Sequence, residues 1–336
     1  MQKKRRMIKF PQIWNYLEKL FEHRFIREQY PMLTFVSRRR CQKEGAWGLV
    51  YMLHHITDKD PKGIPTNEDL KVSPSFLEKM ICRYKSKGFD FISLDQLYDI
   101  IRTNACPTRP FIAFTIDDGY LDNYTQALPV FERQKVPFSV FVATDIIDKK
   151  AILWWDSLED LLLSHDKIFL NDGTCYPCGS YQQRWDSFRL LRERILGFDQ
   201  KNLKSELTNM FSNYQIDWLE PVRQKGMSWS QITTLANHPL CTIGGHSVSH
   251  LALSKLSDNE VFNEIKDSIQ KIEKEIHQPV RYFAFPYGTA NEVGNREFRI
   301  VEDLKVKLAF CACGGCLTNY NKSFKSHLPR VFFYDN

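Results

Sequence analysis

The run Phe111-Ile-Ala-Phe-Thr-Ile116 ends in two adjacent carboxylates and a glycine, Asp117-Asp118-Gly119, and this run limits the fold more than any other stretch. Aromatic and β-branched residues fill it, which predicts a buried strand with the acids at its carboxyl end. That end is where α/β barrels place their chemistry. Successive side chains on a strand point to opposite faces, so the two acids can take different tasks if the backbone turns at Gly119. One is then free to bind a metal while the other accepts a proton. A second apolar approach ends in Gly244-Gly-His-Ser-Val-Ser-His250. The spacing of His246 and His250 puts both imidazoles on one side of a helical turn, and the glycines permit a tight backbone entry. Two histidines and one carboxylate suit a water-activating divalent ion. Taken singly, each motif reads equally well as a capped strand end or a solvated turn; their joint occurrence favours a site.

A third motif, Phe283-Ala-Phe-Pro-Tyr-Gly288, follows in order. Together the three resemble the polysaccharide deacetylase family, whose barrels hydrolyse N-acetyl groups on sugars. The resemblance covers about residues 45 to 150 and 229 to 333, with Ile116 where the family usually has Phe. It implies an α/β fold, a distorted, incomplete (β/α) barrel of seven strands with a helical insertion. It further implies that Asp118, His246 and His250 hold one divalent metal and that Asp117 is the general base. The Tyr287 backbone N–H then serves the developing oxyanion, although a Pro-Tyr-Gly surface turn is the commoner reading of that motif alone. Zinc is the first choice of metal, with cobalt, nickel, iron or manganese suited to the same ligands.

Two departures from the family pattern matter. Ala284 stands where a common version of the third motif carries an arginine that orients the base. Arg330, in Leu328-Pro-Arg-Val331, either reaches Asp117 from the final strand or forms a peripheral ion pair. The late Leu-X-His signature has no match, since His327 precedes the apolar run instead of ending it. His54, in Met52-Leu-His-His-Ile56, fits an alternative arrangement better than His55; it would protonate the leaving amine or orient Asp117, against a reading in which both histidines only satisfy local polar contacts.

Alternating segments support a mostly parallel sheet. Strands are expected at Leu49 to Ile56, 138 to 143 and 282 to 285, a strand and short helix over 89 to 97, and helices at 75 to 87, 124 to 134, 229 to 237, 258 to 276 and 296 to 307, with 57 to 72 as a loop. Residues 1–44, where Trp14, Leu17, Leu20 and Phe21 have helical spacing, read as an N-terminal helical appendage; residues 45–336 read as the barrel, interrupted at 151–228. That stretch carries Trp154, Trp155, Trp185 and Trp218, too aromatic for a linker. A structural cap beside the active-site end is the expectation, with a role in substrate selection open.

Net charge is +6 and the basic residues are spread along the chain, which argues against nucleic-acid binding. No stretch reaches transmembrane length without charges, and the basic start runs into Pro11, Asn15 and Glu18 instead of an export signal. With that start, nine cysteines favour reduced thiols and a cytoplasmic location, or one peripheral to a membrane. Cys175/Cys178 and Cys313/Cys316 have zinc-like spacing, but small buried or loop cysteines are the preferred reading. His23, His238 and His277 read as structural or exposed, Ser228 as a helix cap, and no phosphate loop or dinucleotide fingerprint is present. The expected partner is an N-acetylated carbohydrate in a cell-surface polysaccharide or its precursor; no protein partner is legible. Two alternatives stand beside this: a metal-dependent amidohydrolase acting on a small non-sugar amide or imide, and an inactive carbohydrate-binding or structural relative.

Overall fold

The computed structural model describes residues 46–335, so the appendage expected over 1–44 lies outside the described residues. Apolar runs become strands β1 (Ala46–Leu53), β2 (Asp90–Phe91), β3 (Phe111–Ile116), β4 (Phe138–Val142), β5 (Lys167–Phe169), β6 (Cys175–Pro177), β7 (Cys241–Gly245), β8 (Tyr282–Ala284), β9 (Leu308–Cys311), β10 (Leu317–Thr318), β11 (Leu328–Pro329) and β12 (Val331–Phe332). The main sheet runs in the order β10-β1-β3-β4-β7-β8-β9-β11, with β2 beside β3 and β12 beside β1. Every pairing in it is parallel except β1 with β10.

Closure comes from the end of the chain. β11 pairs with β9, β12 pairs with β1, and only Arg330 lies between them. The last strand therefore leaves one edge of the sheet and joins the other. The path holds eight strands against the seven expected; with the antiparallel β10 set aside and β11–β12 taken as one interrupted strand, seven parallel staves remain.

Alternation along the staves separates two apolar layers. Phe111 and Ala113 of β3 pack with Val50, Phe141, Ala284 and Phe310 inside the barrel, and helix Leu94–Arg102 contributes Leu94, Leu97 and Ile101 to the same cluster. Ile112, Phe114 and Ile116 instead pack against residues such as Leu77 and Ile81 of helix Pro74–Ser86. Both faces of β3 are covered, which is why its sequence is apolar throughout. The same alternation continues inward to Thr115 and then Asp117.

Between β4 and β7 the chain builds a second core. Helices Trp154–Ser164, Tyr181–Leu196 and Leu203–Met210 bury Leu158, Leu162, Phe188, Leu191 and Leu207 together. The antiparallel β5–β6 hairpin within it is an addition to the helical expectation, with the turn residues after Leu170 at its tip. The segment 57–72, expected as a loop, contains a short helix, Pro65–Glu68. The helix expected over 124–134 starts as a π-helical turn, Asn123–Ala127, and becomes α-helical at Leu128–Gln134. Pro129 lacks the N–H that a regular preceding turn requires, and the wider turn accommodates it. No helix among the described residues is long and apolar enough to cross a membrane. Cys175 is exposed on the hairpin and Cys316 is disulfide-bonded, so reduced thiols do not hold at that position.

The two glycines before His246 serve packing, not an unusual backbone angle. A Cβ on Gly244 would overlap the Phe141 ring and come within 2.9 Å of the Tyr282 carbonyl. Gly244→Ala is therefore expected to lower unfolding free energy by about 1–3 kcal/mol, measured by urea titration; an unchanged midpoint would contradict the packing of β7 between β4 and β8.

Candidate active site

Asp117 continues the inward register of β3, its N–H donating to the Leu53 carbonyl at 2.9 Å. Arg330, at the break between β11 and β12, donates its own N–H to Cys311 O at 3.2 Å, and its side chain enters the barrel. Its Nη1 lies 2.6 Å from Asp117 Oδ1 and its Nη2 2.7 Å from Oδ2, a bidentate pair. Nη1 also donates to Thr115 Oγ1 at 3.1 Å, and the guanidinium carbon sits 5.6 Å from the centre of the Phe141 ring. Arg330 is 0% exposed and Asp117 2%. Burial pushes the Asp117 carboxyl up, but Arg330 and His246 outweigh it and hold the group below the usual carboxylate range. Of the two readings for Arg330, contact with Asp117 is the one the structure contains. Ala284 fills only interior space.

Asp118 would face away from Asp117 on a straight strand. The chain turns one residue earlier than expected: Asp118 itself has φ +78°, followed by Gly119 at +98°. His246 leaves β7 with its N–H on Val142 O at 2.9 Å and its Nδ1 on Ala284 O at 2.7 Å, which turns Nε2 toward Asp118. His250 arrives through a loop, not the expected helical turn. Ser247 and His250 have φ of +65° and +54°, and the His250 N–H donates to Ser247 Oγ at 3.0 Å. Glu264, which the sequence reading missed, accepts the N–H groups of Val248 and Ser249 at 3.0 and 2.9 Å and so fixes that loop.

The result is a convergent set. Asp118 Oδ1 lies 3.3 Å from His246 Nε2 and 3.2 Å from His250 Nε2. One ligand atom from each residue falls within 4.8 Å of the others, and among the described residues no other group of three or more His, Cys, Asp or Glu does so. Asp118 Oδ1 is buried without a hydrogen bond. A buried carboxylate oxygen facing two imidazole nitrogens, one imidazole fixed by its other nitrogen, fits a divalent cation. The cysteine pairs form no such group.

Tyr287 lies at a strained turn. Its φ is +57° and that of Gly288 is +63°, where a Cβ would meet the Ala312 nitrogen at 2.7 Å. The Tyr287 N–H donates to no acceptor among the described residues. Its ring lies 4.9 Å from that of His250, its hydroxyl accepts from Trp154 Nε1 at 3.3 Å, and burial pushes the phenol up to about 12. His54 lines the same cavity, where burial pulls its imidazole below the ordinary histidine value. His55 is engaged elsewhere, with Nδ1 2.7 Å from Asp122 Oδ2 and its ring on Tyr120.

All seven predicted site residues therefore line one cavity. The remaining wall comes from residues the sequence reading did not single out as site groups: Thr66 and Asn67 on the short helix, Met52, Leu70, Tyr120, Phe285 and Phe332, and Trp154, Trp155, Phe188 and Arg192 from the inserted stretch. Asn67 is fixed by Glu159 at 2.7 Å, and Trp155 lies 5.4 Å from the His250 ring. An ionised carboxylate, a cation-binding triad and a spare N–H donor around one space can activate water against a carbonyl.

The family model described as polysaccharide deacetylase matches residues 104–309, more than half of the chain. The fold is similar to that of the Streptococcus pyogenes deacetylase PplD in complex with acetate, with 18% identity over 88% of this chain and 95% of that chain and a TM-score of 0.53. IcaB from Ammonifex degensii is similar at 16% identity over 86% and 93%, with a TM-score of 0.55. The deacetylase domain of BpsB from Bordetella bronchiseptica follows at 17% over 84% and 94%, with a TM-score of 0.50. No curated protein matches the chain. At such identities the structures bear on fold, and the matched segment carries the family assignment from β3 through both histidines to Tyr287. The chain belongs to the polysaccharide deacetylase family, hydrolases of non-peptide carbon–nitrogen bonds.

Proposed function

We propose that the protein hydrolyses the acetamide of an N-acetylated amino sugar in a cell-surface polysaccharide or its precursor. The observation that supports this best is the shared cavity of an arginine-aimed Asp117, the Asp118–His246–His250 triad and the unengaged Tyr287 N–H. The triad would hold one divalent cation, zinc by preference and cobalt, nickel, iron or manganese by the same donors, and such an ion supplies a Lewis acid for the acetyl carbonyl and for water.

The chain's own groups divide the remaining work. Asp117 accepts the proton of the attacking water, and Arg330 keeps its carboxylate ionised and fixed in direction. The Tyr287 N–H donates to the oxygen on which charge develops. The C–N bond breaks as the nitrogen takes a proton, and His54, on the cavity wall, is assigned its delivery. Burial disfavours the charged imidazole at rest, so the proton it hands over is the one that Asp117 takes from the attacking water. Aromatic side chains on the wall exclude water and offer flat faces to a sugar ring.

Release of acetate with an equal amount of new primary amine is the expected outcome with N-acetylated oligosaccharides. Asp117→Asn should lower kcat by about 10²–10⁴-fold while metal content stays at the wild-type level. Glycosidic cleavage with the acetyl groups retained would contradict this function, and a preference of orders of magnitude for small cyclic amides would move the substrate away from sugars. Chelation should abolish turnover, and zinc should restore it. His246→Ala and His250→Ala are expected to lose stoichiometric metal by elemental analysis, and a variant that keeps it would remove that residue from the ligand set.

Arg330→Met leaves Asp117 buried without its counter-ion. The expected loss is about 3–5 kcal/mol of stability together with most of kcat. Arg330→Lys keeps the charge but not the two-pronged geometry, so it should recover more stability than turnover, as read by thermal melts beside steady-state rates. Equal recovery of both would contradict an orienting role.

A further inference from the structure

Arg192 lines the cavity yet takes no part in the chemistry above. It lies on helix Tyr181–Leu196 four residues after Phe188, so the two side chains leave the same helical face. Phe188 is buried and stacks on Trp154 at 6.4 Å, while Arg192 is half-buried beside it. Four lining residues carry a fixed charge: Asp117, Asp118, Arg192 and Arg330. Arg330 is committed to Asp117, and Asp118 faces the two histidines. Arg192 has no carboxylate, hydrogen-bond or ring partner among the described residues. A guanidinium drawn partly out of water without an anion loses hydration and gains nothing in return. Its planar donor fork matches the two oxygens of a carboxylate or phosphate.

We propose, resting on the deacetylase reading, that Arg192 selects a substrate with an anionic group, a carboxylate or a phosphate, on or next to the N-acetylated sugar. A neutral sugar would cover Arg192 with no counter-charge, whereas an anionic one supplies the partner that Arg192 lacks. A neighbouring groove shares Trp154, His250 and Tyr287 with the cavity and adds Lys150, Lys201 and Lys204 against Asp145. Lys150 and Lys201 are paired with Asp148 and Glu260, and Lys204 and Asp145 offset each other, so the charge preference rests on Arg192. Selectivity then resides on the inserted core and bond cleavage on the barrel.

The test compares N-acetylglucosamine, N-acetylglucosaminuronic acid and N-acetylglucosamine 6-phosphate on the full-length, metal-loaded protein. Calorimetry gives the affinity of each, and acetate release gives turnover. Wild type should bind at least one anionic probe about tenfold or more tightly than the neutral sugar, the magnitude of one charge-assisted contact, and added salt should erode the difference. Which anionic probe wins separates carboxylate from phosphate. In Arg192→Gln the preference should fall to near parity, and Arg192→Lys should restore part of it, with matched thermal melts showing that both variants fold. Equal wild-type affinity for all three probes, failure to bind either anionic one, or a preference that survives Arg192→Gln would each overturn the proposal. Equal acetate release from neutral and anionic sugars would defeat the inference and leave the deacetylase reading intact. Anion-selective binding with no acetate released from any probe would do the reverse.

Discussion

Taking a carboxylate out of water is costly unless a positive group meets it with good geometry, and the ion pair between Asp117 and Arg330 is the point where that condition is met in this barrel. Both residues are buried, so neither is tolerable alone. The pair also explains the otherwise odd end of the chain, a strand split into two short pieces around a single arginine. The break lets the strand satisfy β9 before it and β1 after it while one side chain is sent inward. Closing the sheet and pairing Asp117 with its counter-charge are thus one structural event.

The fold was legible where a residue's environment is dictated by its neighbours in sequence. The uniform apolar run of β3, the run of β4 and the long periodic helix Asp258–Ile276 appear where the pattern placed them. The site was legible because its motifs sit at strand ends, which the barrel gathers at one rim. What the pattern could not carry was backbone geometry between fixed points. A spacing of four residues suggested a helical turn for His246 and His250, but Ser247 and His250 take left-handed angles, and Glu264, far along the chain, pins the loop that results. The turn expected at Gly119 begins at Asp118 for a similar reason: a non-glycine residue accepts strain when the surrounding contacts over-determine it.

The wall of the cavity was the least legible part. Thr66 and Asn67 lie in a stretch without helical periodicity, and their placement depends on Glu159 of the inserted core, which holds Asn67 and the Ile64 N–H. Phe188 and Arg192 look like ordinary members of an amphipathic helix until tertiary packing shows which face meets the barrel. Arg330 was the exception, visible as a candidate because a missing guanidinium at Ala284 required a substitute.

The position of the closing strand has a consequence for how the molecule is made. A ribosome completes six staves, the Asp118–His246–His250 group and Asp117 before it adds Arg330. A nascent chain that has been made only as far as β10 already owns Asp117 but not the charge that makes its burial tolerable. Synthesis order thus places the ion pair after every motif: a product stalled or clipped short of β11 keeps the motifs that mark the family and lacks the counter-charge of Asp117.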